Sequence, residues 1–414
     1  MLSKRIIVVG GGPAGMMAAI RAGQLGCDVT LIEKNPSLGK KLLLSGKGRC
    51  NLTNACELNS FLQRFSKNGQ FLRDAFKKFF NTDLINFFEK RGLKLKVERQ
   101  LRVFPVSDRS TSVLQVLKKE LAKNKVKIIC EARVSDIFVE DNRIKGLLFS
   151  DRRRVTTEKL ILATGGISFS FTGSTGEGIA MARKLGHDIS PLWPGLVALE
   201  TKQKYPRTMQ GLGLKNIRIT FFTGKKQITS EIGELLFTDF GISGPLVLTL
   251  SGRVVDWLND GAHVYSEVDL KPALTKEQLD ARLLREFKSN PKKTLKNTLK
   301  NLLPRKLIDI FIEILNINPM RKVSQISKAE RERLISLLKA FRLDIAKARP
   351  IEEAMVTRGG VSLKDIDPRT MESRLVKGLY FAGEMIDIAA DTGGFNLQAA
   401  FSTGYLAGES AALN

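Results

Sequence analysis

Six residues near the N-terminus carry the first chemical signal. Gly10-Gly11-Gly12-Pro13-Ala14-Gly15 satisfies G-x-G-x-x-G, and Glu33 follows 18 residues after Gly15. Gly10 permits a tight turn, Gly12 lets the backbone approach a pyrophosphate, and Gly15 allows a helix to pack close to a strand. The free N–H groups of the helix opened by Pro13 and Ala14 attract phosphate. Glu33, with Lys34 beside it, is placed to accept a hydrogen bond from a ribose hydroxyl. These residue types at this spacing point to a bound dinucleotide.

Four further stretches set polar or reactive groups among glycines. Ser45-Gly46-Lys47-Gly48-Arg49-Cys50-Asn51 is too polar for core, so its backbone must come close to something. Within it, Lys47 and Arg49 favour a thiolate at Cys50, which makes Cys50 the candidate proton donor or redox-active thiol. The alternative is a small buried residue in a binding loop. Ala163-Thr164-Gly165-Gly166 and Gly383-Glu384 each close an apolar strand. Gly393-Gly394-Phe395-Asn396-Leu397 opens the last helix.

Other chemistries are excluded or weakened. Only two histidines occur, His187 and His263, which leaves little for a His-based metal site or a Ser-His-Asp triad; no metal site is expected. Cys27, Cys50, Cys56 and Cys130 form no C-x-x-C pair and read as cytosolic thiols. Gly211-Leu212-Gly213-Leu214-Lys215-Asn216 begins like a second fingerprint but lacks the third glycine and a preceding buried strand. A nicotinamide coenzyme, if used, is therefore expected to bind transiently.

The elements that must position these residues can be read from periodicity. Arg5-Ile6-Ile7-Val8-Val9 is a strand buried on both faces, Met16 to Leu25 has helical spacing, and Asp28 to Ile32 is a second strand. The phenylalanines between residues 57 and 92 (Phe61, Phe65, Phe76, Phe79, Phe80, Phe87, Phe88) have core-like spacing. From Pro191 the pattern shifts to short alternating runs, the signature of antiparallel strands through residue 270. Residues 271–340 read as helical. A chain of 414 residues, 43% hydrophobic, has room for two or three domains. The expected class is α/β, with a discontinuous nucleotide domain at 1–190 and 354–414. A β module at 191–270, completed by 341–353, and a helical module at 271–340 interrupt it. No apolar run is long enough to span a bilayer and no leader precedes the first strand, so a cytoplasmic protein off the membrane is expected.

Charge is uneven. The net charge is +25, and residues 271–350 hold 20 Lys+Arg against 8 Asp+Glu. Lys288, Lys292, Lys293, Lys296, Lys300, Arg305 and Lys306 include no acid among them, and Lys292, Lys296 and Lys300 recur every four residues as one helical face. Arg152-Arg153-Arg154 adds a cluster at a hairpin tip. A charge run is often only a solvated face, but like charges gathered on one module are relieved by a polyanion. Aromatic residues are sparse in the segment, so phosphate contacts rather than base stacking are expected.

Together, the first fingerprint with Glu33, Ala163-Thr164-Gly165-Gly166 and Leu379-Tyr380-Phe381-Ala382-Gly383-Glu384 resemble the FAD signature of glutathione-reductase-like flavoproteins. Ser45 to Asn54 and Asp391-Thr392-Gly393-Gly394-Phe395-Asn396-Leu397-Gln398 narrow this. They look like the bacterial flavoprotein family that includes aminoacetone oxidase, the BaiN proteins and the ribosomal RNA dihydrouridine synthase RdsA. The resemblance covers essentially the whole chain. It implies non-covalent FAD in an interrupted Rossmann domain carrying a β-barrel insertion and a smaller helical one. It places Gly10, Gly12, Pro13, Ala14 and Gly15 at the pyrophosphate and Glu33 with Lys34 at the adenosine. Val134 would meet the adenine through its backbone, while Lys41, Ser45, Gly46, Gly48, Arg49, Cys50 and Asn51 lie along the cofactor. Ala163, Thr164 and Gly165 complete the first signature. Gly383, Glu384, Gly394, Phe395, Asn396 and Leu397 close the flavin end, where the helix N-terminus would stabilise negative charge.

Charge and resemblance together lead to one expected function: reduction of a uridine of 23S ribosomal RNA to dihydrouridine, with NADH or NADPH as electron source. Ribosomal RNA is then the partner, and no stable protein partner is expected. The alternative is a small-molecule flavoenzyme, either an amine oxidase or an enoate reductase, which has no need of the basic segment.

Overall fold

The computed structural model describes residues 4–65 and 68–414, and the chain divides into two compact units. The first comprises Met1–Gly195 and Ile351–Asn414, the second Leu196–Pro350.

The first unit is built on β1 (Arg5–Val9), in which Ile6, Ile7 and Val8 have no exposed surface. A strand covered on both faces has no use for polar alternation, hence the unbroken apolar run. β1 is central in a five-stranded parallel sheet. Its neighbours are β2 (Asp28–Ile32) and Lys159–Leu162, with Lys127–Ile129 and Leu379–Phe381 at the two edges. The connecting helix α1 (Pro13–Gln24) starts at a proline, which is tolerated because the first helical N–H has no partner anyway. Val8 is level with Ile161 on one side and Leu31 on the other. The parallel register therefore gathers the strand ends Val9, Ile32, Leu162 and Phe381 at one edge, where loops of α/β sheets bind ligands.

The C-terminal helix Phe395–Leu413 packs on α1 through glycine. A Cβ on Gly404 would stand 2.2 Å from the Ala14 carbonyl oxygen, and one on Gly408 2.3 Å from that of Ala18. From Gln398 to Ala412 only Tyr405 escapes full burial, as expected of a helix that is apolar all round. The expected phenylalanine core is present: the Phe61 ring lies 5.2, 5.1 and 4.7 Å from those of Phe76, Phe80 and Phe395.

In the second unit six antiparallel strands close into a barrel. Their order is Gly213–Thr223, Gly233–Phe237, Gly241–Ser243, Leu199–Thr201, Phe341–Ala348 and Val264–Asp269, which pairs back to the first. Two helices stand where the sequence suggested only strands, the short Tyr205–Thr208 and the longer Pro245–Asn259. The longer one begins at Pro245, since proline is tolerated at the first helical position. Leu246, Val247, Leu250, Val254 and Trp257 then face the barrel core. Four helices (Lys276–Ser289, Leu295–Leu299, Arg305–Leu315 and Lys328–Lys339) are inserted between the paired strands Val264–Asp269 and Phe341–Ala348. They share the barrel's core, with the Phe311 ring 5.5 Å from that of Phe341. Thr275 with Gln278 and Ser327 with Glu330 form capping boxes, each cap contributing about 1 kcal/mol.

The lysine face expected from Lys292, Lys296 and Lys300 is corrected here. The helix Lys276–Ser289 stops ahead of Pro291, because the residue before a proline is pushed out of the helical region. The next helix is only Leu295–Leu299, so Lys292 precedes it and Lys300 is its C-cap. Among the described residues, no helix is long and apolar enough to cross a membrane.

The glycine contact between α1 and the C-terminal helix can be tested directly. Gly404→Ala is expected to lower unfolding stability by about 1–3 kcal/mol, read from urea melts of the FAD-loaded protein; an unchanged midpoint contradicts the packing described.

Candidate active site

The turn after β1 is shaped by what it cannot accommodate. Gly10 has φ +108°, and a Cβ there would lie 2.4 Å from the Ala163 carbonyl oxygen. A Cβ on Gly15 would come within 1.9 Å of the Gly10 carbonyl oxygen. Gly12 is different. It is the N-cap of α1, with ordinary extended geometry, and a Cβ there meets nothing within 4 Å. The glycine leaves an open approach to the first N–H groups of α1, a cradle that fits a pyrophosphate.

Glu33, at the end of β2, is nearly buried and held in place by three donors. The Gly11 N–H reaches one oxygen at 2.8 Å, and the Asn35 N–H and side-chain amide reach the other at 2.8 and 2.7 Å. It lines a cleft with Gly10, Ala132, Val134, Thr164 and Met181. At the rim, Lys34 donates to Thr175 at 2.6 Å and pairs with Glu177 at 3.1 Å, while Arg133 reaches Glu177 at 2.8 Å. Burial opposes charge on Glu177, but Lys34, Thr175 and Arg133 outweigh it and hold the carboxyl below its ordinary range. Glu33, Lys34 and Val134 are thus gathered at one polar cleft.

Elsewhere in the first unit, Glu384 and Lys41 meet. Their ion pair is 2.7 Å, and Lys41 also donates to Ser168 at 2.7 Å. Glu384 further accepts from Ser168 at 2.9 Å and from the Thr357 N–H at 2.7 Å. Thr357 and Ser168 have no exposed surface, whereas the side chains of Lys41 and Glu384 are 23% and 22% exposed. The charged groups therefore face an opening from a fixed polar base.

The loop Gly46–Asn51 carries four left-handed residues, Gly46 (φ 58°), Lys47 (58°), Gly48 (83°) and Cys50 (61°). Two of these are not glycine, and such conformations persist only where surrounding contacts impose them. Arg49 supplies one set: its guanidinium lies 4.2 Å over the Phe104 ring and pairs with Glu98 and, at 2.6 Å, with Asp108. Ser45 turns inward and donates to the Leu42 carbonyl at 2.7 Å. The Asn51 amide, oriented to satisfy both partners, lies 3.2 Å from the Thr53 carbonyl and 3.0 Å from the Gly394 N–H.

This last contact brings the C-terminal helix to the loop. A Cβ on Gly394 would stand 2.4 Å from the Thr53 carbonyl, so only glycine fits. The side chain of Asn396 is occupied by the preceding loop, bonding the Ala390 N–H and carbonyl at 2.9 Å each. Phe395 puts its ring into the core and Leu397 is half-buried, which leaves backbone N–H groups as what this end can offer a ligand. Gly383 has φ +74° and sits against Ala14, whose Cβ would be 2.8 Å from an added methyl; Gly165 has φ +77°.

One expectation is reversed. Cys50 has no exposed surface, and burial pushes its thiol up to about 12, only partly offset by a hydrogen bond with Ser45. Lys47 and Arg49, neighbours in sequence, do not make it a thiolate because Arg49 is engaged by two carboxylates elsewhere. Several residues of this site lie outside the motifs read from sequence: Ser168, Thr175, Glu177 and Thr357. The positive φ of Gly173 (103°) and Gly176 (80°) marks a second glycine-opened helix whose first residue is Glu177. That pattern was a usable signal; nothing local marks Thr357.

The seven basic residues of 288–306 lie in the second unit. Lys296 pairs with Asp309 at 2.6 Å and Lys306 donates to the Gln210 carbonyl at 2.8 Å. Lys288, Lys292, Lys293, Lys300 and Arg305 are exposed, and among the described residues no carboxylate pairs with them.

Comparison with known proteins follows the same lines. Residues 4–410 match the family model described as HI0933-like protein Rossmann domain. A 3-dehydro-bile acid delta(4,6)-reductase of Clostridium scindens is 34% identical over 99% of each chain. A ribosomal RNA dihydrouridine synthase of Haemophilus influenzae is 31% identical over 96% of each chain. Among solved structures, an E. coli quinol fumarate reductase superposes with a TM-score of 0.52 at 17% identity, covering 100% of this chain and 70% of that one, a likeness of fold.

Two results are expected from this geometry. Gly12→Val should leave the melting temperature of the FAD-free protein unchanged while abolishing the visible absorbance of bound flavin; retained flavin contradicts the cradle. In native protein at pH 8, iodoacetamide should label Cys50 at least about tenfold more slowly than the partly exposed Cys56, since the thiolate is the nucleophile. Equal rates in peptide mass spectrometry contradict a buried neutral thiol.

Proposed function

The chain belongs to the HI0933-like Rossmann family, and on that premise we propose that it reduces electron-poor carbon–carbon double bonds, acting on a uridine of 23S ribosomal RNA with NADH or NADPH as electron source. It is an FAD-dependent oxidoreductase. FAD, when bound, supplies a hydride for the electron-poor carbon. The chain's own part is to hold and orient. Gly10, Gly12 and Gly15 leave room for the pyrophosphate, Glu33 accepts from a ribose, and Lys41 with Glu384 presents donors and acceptors to the ribityl side. A uridine must leave the RNA stack to reach such a site, which requires a grip on the flanking phosphates.

The observation that carries the RNA reading is the unpaired basic surface of the second unit, made by Lys288, Lys292, Lys293, Lys300 and Arg305. Left without carboxylates, these charges gain most from a polyanion. The dihydrouridine synthase relative is consistent with it. A second reading, reduction of a small-molecule enone, draws on the bile acid reductase, whose identity to this chain is 34% against 31% for the RNA enzyme. Both reactions add hydrogen across a double bond that a carbonyl polarises, so one flavin site serves either.

Mass spectrometry of 23S rRNA from cells with and without the gene separates the two readings. One uridine should lose two hydrogens' worth of reduction when the gene is absent; identical rRNA in both strains overturns the RNA substrate. In binding assays, replacing Lys288, Lys292, Lys293 and Lys300 with Gln should weaken rRNA affinity and flatten the slope of log K against log salt by about 3. An unchanged slope removes this surface from the interface.

A further inference from the structure

Gly213, half of the incomplete second fingerprint, opens onto a cavity of the second unit. The cavity is about 330 Å³ and is walled by Leu214, Ile217, Leu270, Leu302 and Leu307. Among its lining residues the only charged ones are Lys215 and Lys271. Gly213 has no left-handed backbone to justify it, and a Cβ there meets nothing within 4 Å. What the glycine provides is therefore space.

The lysines lack counter-charges. Asp269 is beside Lys271, but one of its oxygens accepts the Lys271 backbone N–H at 2.9 Å and the other pairs with Lys339 at 2.7 Å. Among the described residues, no carboxylate pairs with the ammonium of Lys271 or Lys215. Burial, and then the charge of Arg282, push the Lys271 ammonium below its ordinary range. An anion arriving from outside would relieve both effects.

We propose that this cavity is a second binding site, taking an amphipathic carboxylate whose apolar body lies among the leucines and whose charge meets Lys271 and Lys215. The volume falls in the range of small-molecule pockets, and the combination of apolar walls with one or two convergent polar groups is what such pockets use. Leucine walls argue against a bare phosphate, which would lose its hydration there without gaining hydrogen bonds. The site belongs to the second unit and makes no use of the flavin fingerprints.

Calorimetry on the FAD-loaded protein tests it with octanoate, octan-1-ol and acetate as probes. Octanoate should bind saturably at one site per chain, with the alcohol and acetate about tenfold weaker or more, the loss expected when a charge-assisted hydrogen bond or the apolar body is missing. Lys271→Met should weaken octanoate to the level of octan-1-ol, and Gly213→Trp, which adds bulk to the cavity wall, should weaken both. The exposed Lys215→Met, combined with Lys271→Met, repeats the test without adding bulk to the cavity wall. Flavin content and melting temperature report folding in each variant. The proposal is overturned by an absence of saturable octanoate binding, by acetate binding as tightly as octanoate, or by wild-type affinity in the lysine variants.

Discussion

The ion pair of Lys41 and Glu384 joins residues 343 positions apart, and the site depends on that closure. Lys41 lies just after the first βαβ unit, and Glu384 sits where the last strand of the sheet ends. Ser168 and Thr357 complete the arrangement from two further segments, so four stretches of chain converge on one carboxylate. A partly buried pair of this kind contributes little net stability by itself, because desolvation offsets its attraction. Its value is positional. With Glu384 accepting from three donors, the strand end, the helix Lys40–Leu44 and the 164–168 turn have one mutual geometry.

The rest of the first unit serves this closure. The buried parallel sheet brings strand ends from residues 9, 32, 162 and 381 to one edge. Gly404 and Gly408 let the C-terminal helix settle onto α1, and Gly394 lets its start reach Thr53. These are contacts of backbone on backbone that any side chain would block. The glycines are thus the reason distant segments meet.

Much of this was legible in sequence because it is local. The β1–α1–β2 unit, the order of its glycines and the acid after β2 are set by residues within reach of each other, and the phenylalanine core follows from helical spacing. What could not be read depends on contacts far apart in the chain. Thr357 and Ser168 belong to no motif and acquire their role only when the second half of the first unit folds back. For Cys50 the alternative of a small buried residue holds and the thiolate reading fails for the same reason: sequence neighbours Lys47 and Arg49 suggest a thiolate, while Glu98 and Asp108, both distant, draw Arg49 away and burial decides the protonation. Pro291 was the overlooked local signal, since it breaks the helical stripe of lysines that periodicity alone suggested. Pro245 acts in the opposite sense, opening a helix inside a stretch whose alternation reads as strands.

The barrel unit adds a different kind of chemistry, a positive surface on a fold that has its own core. In an FAD-dependent oxidoreductase, that surface is the reason we favour an RNA uridine over a small enone. A single-turnover experiment addresses the point most directly. Holoprotein reduced with dithionite is mixed anaerobically with unmodified 23S rRNA transcribed in vitro, and flavin absorbance and dihydrouridine are followed together. The expected result is reoxidation of the flavin with one dihydrouridine formed per flavin oxidised. Flavin that stays reduced in the presence of the RNA, yet is promptly reoxidised by a steroid enone, would contradict it.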